Sequence, residues 1–199
     1  MYIGVLALQG DFLEHAEMLE RIGVRAKLVT SPRDLDSIEG LILPGGESTT
    51  ISKLLDSSHL GEFIKARQDL PIFGTCAGLI LLARSITDGR ADQMSFGYLD
   101  IEVRRNGFGR QIRSFESDLD ILGLSPTPMK AVFIRAPVIE KVGAEVTVMA
   151  SVLYNFEGRD ARVPVVVRQG RYLGSAFHPE LTSDTRLHEY FLQSVVRSR

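Results

Sequence analysis

Cysteine is nearly absent from this sequence, since Cys76 is the only one in 199 residues. A single thiol cannot form a disulfide within the chain, which favours a reducing compartment. The net charge of -2 gives no sign of the basic face that nucleic-acid binding requires. No apolar run approaches the roughly 18 residues that cross a bilayer. The first residues also lack a basic leader and run instead into Asp11 and Glu14. These absences predict a cytoplasmic protein that binds neither nucleic acid nor membrane.

The chain also lacks internal repeats, low-complexity tracts and long linkers. Its hydrophobic content of 44% is ordinary for a globular protein, and its length suffices to bury a substantial core. Two irregular segments, residues 106–110 and 123–130, have the composition of loops within a domain. We therefore expect residues 1–199 to form a single domain.

In the first half, short apolar runs alternate with segments of helical periodicity. The predicted strands cover residues 3–8, 26–30, 40–43 and 72–73. The predicted helices cover residues 11–22, 49–55, 60–68 and 76–86. A repeated order of strand, helix and strand predicts an α/β fold with a mostly parallel sheet and helices on both faces.

The second half has more strands and fewer helices. The predicted strands cover residues 99–105, 131–136, 146–152, 163–168 and 173–177, and residues 169–171 join the last two as a hairpin. An amphipathic helix is predicted over residues 183–196, with Ser183 as a candidate N-cap. We therefore expect an added antiparallel strand region in the C-terminal half.

The cysteine lies in a tight turn, Gly74-Thr-Cys76-Ala-Gly78, between a predicted strand and a predicted helix. This G-x-C-x-G pattern is the thiol counterpart of the G-x-S-x-G nucleophile elbow, which exposes its central side chain at the ligand-binding edge of an α/β sheet. The N-terminus of the following helix favours the reactive thiolate, and the Ala77 N–H can donate to an oxyanion. A buried structural cysteine is the alternative. The strand–turn–helix context favours a nucleophile.

A nucleophilic cysteine needs a histidine base, and the sequence offers four histidines. We place His15 and His188 on the solvated faces of helices and His59 in a polar surface connection. His178 instead closes a predicted strand and precedes Pro179, which favours extended backbone. Glu180 then projects to the same side and can orient the imidazole. An incidental histidine beside a turn is the alternative, but both His178 and Cys76 are expected at one edge of one sheet.

A third strand ends in Pro44-Gly-Gly46, followed by Glu47 and Ser48. Two adjacent glycines allow the backbone N–H groups of Gly45 and Gly46 to face a ligand and complete an oxyanion hole. Ser48 or Thr49 is a candidate cap for the next helix. A phosphate-binding loop is the competing interpretation, but the G-x-x-x-x-G-K-[ST] pattern is absent. A plain loop with a helix cap is the other alternative.

These motifs occur in an order that resembles the class I (triad) glutamine amidotransferases. Further segments narrow the resemblance to the glutaminase subunits of pyridoxal 5′-phosphate synthase, the PdxT/SNO family. They are Gly4-Val-Leu-Ala-Leu-Gln-Gly10, Leu41-Ile-Leu-Pro-Gly-Gly-Glu-Ser-Thr-Thr50, Phe73-Gly-Thr-Cys-Ala-Gly-Leu-Ile80, Arg105-Asn-Gly-Phe-Gly-Arg-Gln111, Val132-Phe-Ile-Arg-Ala-Pro137 and Ser175-Ala-Phe-His-Pro-Glu-Leu-Thr182. One departure is residues 154–163, a hairpin that looks longer than the family pattern.

The resemblance implies a flavodoxin-like, three-layer sandwich and hydrolysis of L-glutamine to L-glutamate and ammonia. Cys76 would form a glutamyl thioester, assisted by His178 and Glu180, with the oxyanion held by Gly45, Gly46 and Ala77. The residues implied to contact glutamine are Gly46, Glu47, Ser48, Arg105, Ile134 and Arg135. A planar arginine such as Arg135 is suited to a carboxylate, although a surface charge on a strand is its plain alternative.

The resemblance also implies a partner, because ammonia released into water would be protonated. A (β/α)8-barrel synthase subunit, in a large hetero-oligomer, would receive ammonia through a tunnel and build pyridoxal phosphate. Reorientation of the Gly45–Gly46 peptide on docking, sensed by Gln9, is a hypothesis for activation. No cofactor is expected, and one cysteine with scattered histidines predicts no metal site.

Three alternatives remain open at the level of sequence. The chain could serve another synthase, or be a catalytically silent subunit that binds glutamine. It could also be another cysteine hydrolase on a similar sheet, such as an intracellular peptidase or a DJ-1/PfpI-type protein, although His178-Pro-Glu180 combined with Pro44-Gly-Gly-Glu-Ser-Thr49 is not expected there.

Overall fold

The structure is a computed structural model, and it describes residues 1–90, 92–108, 114–156 and 159–197. Its main sheet has seven strands in the order β10-β11-β12-β4-β3-β1-β2. The strands β1 (Tyr2–Leu6), β2 (Arg25–Val29), β3 (Gly40–Leu43), β4 (Ile72–Thr75) and β12 (Tyr172–Ser175) run parallel. β10 (Thr147–Phe156) and β11 (Arg159–Gln169) extend this sheet in antiparallel pairing. The predicted mostly parallel sheet is therefore confirmed.

Helices flank the sheet on both faces. They are α1 (Phe12–Arg21), α2 (Ser48–Ser57), α3 (Leu60–Ala66), α4 (Ala77–Leu82) and α5 (Arg186–Tyr190). From β1 the chain crosses to β2 on one side, whereas from β3 it crosses to β4 on the other side. Because such connections are right-handed, crossings in opposite directions place α1 and α2 on opposite faces of the sheet. α5 packs beside α1, and α4 packs beside α2. These helices form the two outer layers of the sandwich.

Two helix predictions need correction. The predicted helix 76–86 ends at Leu82, because β5 (Ala83–Ile86) pairs in parallel with β6 (Leu99–Arg104). The predicted C-terminal helix starts later than Ser183, at Arg186, and passes into a π-helical segment at Phe191–Val196. The residue at its N-cap position is Thr185, so Ser183 does not have the predicted capping role.

The remaining strands form two smaller sheets. β9 (Val138–Val142) pairs antiparallel with β6, and β7 (Ser114–Leu119) pairs with β8 (Met129–Ile134). The sequence predicted β6 and β8 but missed β5, β7 and β9. The predicted hairpin at residues 169–171 does join β11 to β12. Residues 109–111 and 157–158, in two segments discussed above, lie outside the described residues.

The core lies on both faces of the parallel strands. Its largest fully buried side chains include Phe73, Phe133, Phe177 and Phe191. Among the described residues, no helix is long and apolar enough to cross a membrane. Because β1, β3, β4 and β12 are parallel neighbours, their carboxyl ends converge on one edge of the sheet. That edge carries the residues singled out from the sequence.

Candidate active site

Cys76 occupies a strained turn between β4 and α4. Its backbone has φ 48° and ψ -100°, a conformation that an L-residue adopts only when its surroundings enforce it. The turn is closed by the Cys76 N–H, which donates to Ser175 O at 2.8 Å. A Cβ atom at Gly78 would lie 2.0 Å from Leu43 O, so only glycine lets α4 approach β3 this closely. The predicted strained turn between a strand and a helix is therefore present, and the Cys76 side chain lines a cavity.

His178 and Glu180 meet beside this turn. His178 Nδ1 lies 2.7 Å from Glu180 Oε1, and both side chains are buried. The His178 N–H also donates to Val132 O at 2.9 Å, which fixes the backbone where it leaves β12. With Nδ1 engaged by a carboxylate, Nε2 is the nitrogen left for Cys76. The two side chains meet as predicted, but the predicted extended backbone is wrong, because Pro179–Leu181 forms a short 3-10 helix that begins at the proline.

Asp11 is a second carboxylate at the same imidazole, and the sequence analysis did not select it. Asp11 Oδ2 lies 3.3 Å from His178 Nδ1, and the residue directly follows Gly10 at the end of the first strand and loop. Its position was predictable, because β1 is parallel to the other site strands and must end at the same edge. Asp11 therefore shares the orientation of His178 with Glu180.

The charges of this cluster depend on one another. Burial opposes a charged His178, but hydrogen bonds with Asp11, Cys76 and Glu180 outweigh it and raise the pKa of His178 well above its usual value. The hydrogen bond to His178 lowers the pKa of Asp11. Burial raises the pKa of Glu180, and the His178 contact opposes that rise. A protonated His178 between two carboxylates follows from these contacts.

The loop with Gly45 and Gly46 packs directly against this histidine. A Cβ atom at Gly45 would lie 2.4 Å from His178 Cε1, which explains the need for glycine. Gly45 O accepts a hydrogen bond from the Asp11 N–H at 3.2 Å, and Gly46 has φ +145°. The Glu47 N–H donates to Gln9 Oε1 at 2.8 Å. The β1–α1 loop therefore holds the glycine loop at two points.

Glu47 and Ser48 begin α2 in a different way from the prediction. Glu47 is the N-cap residue, and its Oε1 accepts from the Thr49 N–H at 3.3 Å. Ser48 is the first helical residue, and its hydroxyl accepts from Gln93 Nε2 at 3.0 Å. Neither Ser48 nor Thr49 is therefore the cap. Glu47 takes the cap position because its side chain reaches the Thr49 N–H, which has no acceptor within the helix.

Two arginines face the same space. Arg105 Nη1 donates to Gln93 Oε1 at 3.1 Å, and Arg105 Nη2 lies 3.7 Å from Glu47 Oε1. Arg135 follows β8 with φ 45° and is exposed, so a strained backbone presents its side chain at the mouth of the site. Ile134 precedes it, and Ile134 O lies 4.0 Å from Cys76 Sγ. Both arginines therefore place positive charge at the cavity described next.

A cavity of about 350 Å3 joins these groups. The predicted site residues that line it are Gln9, Gly46, Glu47, Ser48, Cys76, Arg105, Ile134, Arg135 and His178. Gly45 and Ala77 are the sequence neighbours of the lining residues Gly46 and Cys76. Glu180 contacts the side of His178 away from Cys76. As the first residue of α4, Ala77 has an N–H with no acceptor in the preceding turn of its own helix. The cavity size suits a small polar metabolite.

Ligand atoms of Asp11, His178 and Glu180 all lie within 4.8 Å of one another, a cluster that the sequence analysis did not anticipate. These residue types can bind metals. Here, however, His178 Nδ1 and Glu180 Oε1 are at hydrogen-bonding distance from each other, so the nitrogen that a metal would need is engaged. The cluster is better described as an oriented imidazole than as a metal site.

The chain matches known proteins over nearly its whole length. The model of the SNO glutamine amidotransferase family matches residues 5–197. A pyridoxal 5′-phosphate synthase subunit PdxT from Roseiflexus sp. is 53% identical over 96% of this chain and 99% of the relative. The protein of that name from Frankia alni is 52% identical over 98% of this chain and 95% of the relative.

A solved structure gives the same result in three dimensions. It is described as the crystal structure of a glutamine amidotransferase, and it superposes with a TM-score of 0.85 at 48% identity. The match covers 96% of this chain and 97% of that one. The chain belongs to the SNO glutamine amidotransferase family.

Two further histidines of this SNO-family chain were assigned wrongly from the sequence. His15 and His188, predicted on solvated faces, are fully buried, whereas His59 is exposed as predicted. His15 Nδ1 lies 2.9 Å from His188 Nε2, directly behind Glu180. The signal was present in the sequence: His15 is three residues after Phe12 and four before Leu19, which places it on the apolar stripe of α1. The neighbouring glutamates of α1 outweighed that spacing in the prediction.

Proposed function

We propose that this chain is the glutaminase subunit of a pyridoxal 5′-phosphate synthase, hydrolysing L-glutamine to L-glutamate and ammonia. The observation that carries the proposal is the alignment of Cys76, His178 and Glu180 at a strained strand–helix turn, in a chain about half identical to proteins of that name. That the main sheet takes strands from both halves of the chain supports one domain over residues 1–199. The lone thiol is consistent with the cytoplasm, which stays a prediction.

Catalysis begins with attack of the Cys76 thiolate on the side-chain amide carbon of glutamine. The protonated His178 beside it stabilises that thiolate by charge. The amide oxygen becomes an oxyanion, which the Ala77 N–H at the start of α4 can bind, and which the Gly45–Gly46 backbone would bind once that peptide has reoriented. Collapse of this intermediate breaks the C–N bond, and the proton from His178 Nε2 leaves with the ammonia.

The products of this step are a glutamyl thioester and a neutral His178. Because the thiolate has been consumed, one of the contacts that raised the pKa of His178 is lost. The imidazole can then accept a proton from water as the water attacks the thioester carbon. Expulsion of the Cys76 thiolate releases glutamate and restores the charged pair. Glu180 and Asp11 keep Nδ1 protonated throughout.

The amino-acid end of glutamine lies farther from the sulfur in this proposal. Arg105 and Arg135 supply positive charge for the α-carboxylate, and Glu47 supplies negative charge for the α-ammonium. Gly46, Ser48 and Ile134 would bound the side chain between these ends. Their common location around one small cavity supports this arrangement.

Ammonia would pass to a synthase subunit built as a (β/α)8 barrel, through a tunnel within a large hetero-oligomer. Docking would reorient the Gly45–Gly46 peptide and complete the oxyanion hole. The hydrogen bond from the Asp11 N–H to Gly45 O would hold the peptide in its inactive orientation, and the rotation would break that bond. Gln9, which holds the next N–H of the same loop, would transmit the docking event.

The test is glutamate release from L-glutamine with and without the synthase subunit of pyridoxal 5′-phosphate synthase. We expect strong stimulation by the synthase, and a loss of at least about a thousandfold in Cys76→Ala and His178→Ala, because covalent catalysis requires both groups. His59→Ala is the matched control, since His59 is exposed and outside the cavity. Full activity in Cys76→Ala would reject the mechanism.

The same experiment separates the alternatives. A wild-type chain that binds glutamine but releases no glutamate with the synthase present would be the silent regulatory subunit. Stimulation by a different ammonia-consuming synthase, and none by the pyridoxal phosphate synthase, would assign it to that other partner. The intact set of Cys76, His178 and Glu180 favours the active enzyme over a silent subunit.

A further inference from the structure

A buried pair of histidines lies behind the proposed triad. His15 in α1 and His188 in α5 have no solvent exposure, and their ring centroids are 5.2 Å apart. Both rings make edge contacts with Phe73, at 6.4 and 5.7 Å between centroids. Polar side chains placed in such an apolar setting are costly unless their hydrogen bonds are made. The hydrogen bonds of these two rings must therefore offset that cost.

His15 lies between the turn that carries Cys76 and the carboxylate of Glu180. Its Nδ1 is 2.9 Å from His188 Nε2, and its Nε2 is 3.0 Å from Thr75 Oγ1. Thr75 directly precedes the nucleophile. The same Nε2 lies 3.4 Å from Glu180 Oε2, the carboxylate oxygen that faces away from His178. One ring nitrogen thus faces both the residue before Cys76 and the residue that orients the base.

Both rings are neutral at neutral pH. Burial, together with the nearby His188 and His178, lowers the pKa of His15 well below its usual value. Burial alone lowers the pKa of His188 to about 4. Each neutral ring carries a single N–H, so the position of one proton determines the direction of the whole chain of hydrogen bonds.

The unpartnered atoms decide that direction. Among the described residues, His188 Nδ1 has no hydrogen-bond partner. An unsatisfied buried N–H is rarer and more costly than an unsatisfied acceptor. His188 must therefore carry its proton on Nε2 and donate it to His15 Nδ1. His15 in turn carries its proton on Nε2, where it faces Thr75 and Glu180.

The opposite tautomers, with the proton on Nδ1 of both rings, are unfavourable at both ends of this hydrogen-bond chain. They would leave a buried N–H on His188 without an acceptor. They would also turn the lone pair of His15 Nε2 toward Glu180 Oε2, 3.4 Å away. Glu180 Oε2 has no hydrogen-bond partner among the described residues that could offset this repulsion. A carboxylate oxygen is stabilised by a donor and repelled by a lone pair.

We propose that His15 and His188 are positioning residues of this active site. His188 fixes the tautomer of His15. The Nε2–H of His15 then donates to Thr75 Oγ1 and turns its positive end toward Glu180 Oε2, so that Glu180 and Cys76 stay aligned on His178. This inference rests on the proposed role of Cys76, His178 and Glu180. Neither His15 nor His188 lines the cavity, so neither acts on substrate directly.

The test compares two variants of His188, which contacts neither Thr75 nor Glu180 by hydrogen bond. In His188→Leu the donor to His15 is lost, and we expect kcat for glutamine hydrolysis, measured with the synthase present, to fall about tenfold with little change in KM. In His188→Gln an amide N–H can replace the donor, and kcat should recover to within about threefold. His59→Leu, the same change at an exposed histidine, is the control.

A structural role alone predicts a different pattern. If His188 only fills space, leucine should serve as well as or better than glutamine, and kcat should be equal in both variants or lower in His188→Gln. That outcome would overturn the proposal. Thermal unfolding of each variant identifies any loss of folded protein, and activities are compared below the lowest unfolding temperature.

A second measurement does not depend on activity. Ring 15N chemical shifts of the full wild-type chain report which nitrogen of each neutral histidine carries the proton. The proposal requires the Nε2–H form of both His15 and His188. A proton on Nδ1 of His15 would refute it even if the chain is a glutaminase. Glutamine hydrolysis that persists in Cys76→Ala would instead refute the proposed function and leave the tautomers unaffected.

Discussion

Gln9 links the end of β1 to the loop that carries Gly45 and Gly46. Its Oε1 accepts from the Glu47 N–H at 2.8 Å, and a Cβ atom at Gly46 would come within 2.6 Å of the same oxygen. The side chain is half-buried and lines the cavity. A residue in this position can respond to a partner at the mouth of the site and also restrain the oxyanion loop.

Replacement of Gln9 by alanine removes the acceptor for the Glu47 N–H. We expect synthase-stimulated glutaminase activity to fall by about tenfold, because one oriented hydrogen bond to the oxyanion loop is lost. Steady-state glutamate release at saturating synthase measures this. Gln68→Ala is the matched control, since Gln68 is exposed and lies just before the amino end of β4. Unchanged stimulation in Gln9→Ala would remove Gln9 from the activation pathway.

At the scale of elements, the site depends on how closely α4 packs against β3 and β4. Gly78 lies in the first turn of α4, and its backbone touches Leu43 O of β3. Gly74 of β4 faces the same helix, with a Cβ position 2.5 Å from the Gly78 carbonyl. This close approach, more than helix propensity, sets the position of Cys76.

Gly78→Ala should therefore change stability in the direction opposite to helix propensity. Within a helix, alanine normally stabilises by up to about 1 kcal/mol relative to glycine. Here the added Cβ meets backbone that cannot move away, and we expect a loss of about 3 kcal/mol in the free energy of unfolding. Urea unfolding gives the value.

Gly97→Ala provides the comparison for the elbow. Gly97 has φ +70° but nothing within 4 Å of its Cβ position, so that variant should lose only about 1 kcal/mol through backbone strain. Gly78 has no positive φ, so a loss in Gly78→Ala no larger than that in Gly97→Ala would contradict the expected clash of the added Cβ with the backbone of β3.

At the scale of the whole molecule, the buried histidines make folding sensitive to acid. The pKa of His188 is lowered from 6.5 to about 4 in the fold. Between these values the unfolded chain binds the proton and the native chain does not. The free energy of unfolding therefore decreases as pH falls from 6.5 towards 4, and His188 contributes about 3 kcal/mol of that loss. Above pH 6.5 it contributes nothing.

Unfolding measured from pH 7 to pH 4 checks this effect. His188→Gln lacks the titrating group, so its free energy of unfolding should decrease less steeply over the same interval. The comparison of slopes isolates His188 from the carboxylates that titrate in the same range. Parallel curves for the two proteins would show that folding does not lower the pKa of His188.

Much of the candidate site was predictable from local sequence. Strands β1 to β4, the Cys76 turn, the Pro44-Gly-Gly46 loop and the pairing of His178 with Glu180 all depend on the backbone preferences of a few adjacent residues. Parallel pairing then brings strand ends together without further information. For this reason residues far apart in the chain could be assigned to one edge of the sheet.

Other features depended on which segments meet in three dimensions. Residues 83–86 continue a helical pattern but form β5, because β6 offers a free edge for pairing. Helix periodicity can place His15 and His188 on apolar faces, yet their partners come from α1, α5 and β4 together. Asp11 likewise acquires its importance only from His178.

The sequence alone therefore determined the α/β architecture, the nucleophile turn and the residue types at the sheet edge, because short-range steric and hydrogen-bonding preferences control these features. Only the tertiary structure decided the second carboxylate on His178, the glycine contacts that fix the elbow and the buried histidines behind Glu180. Burial changes the charge and hydrogen-bonding needs of a side chain, and burial is a property of the whole packed molecule.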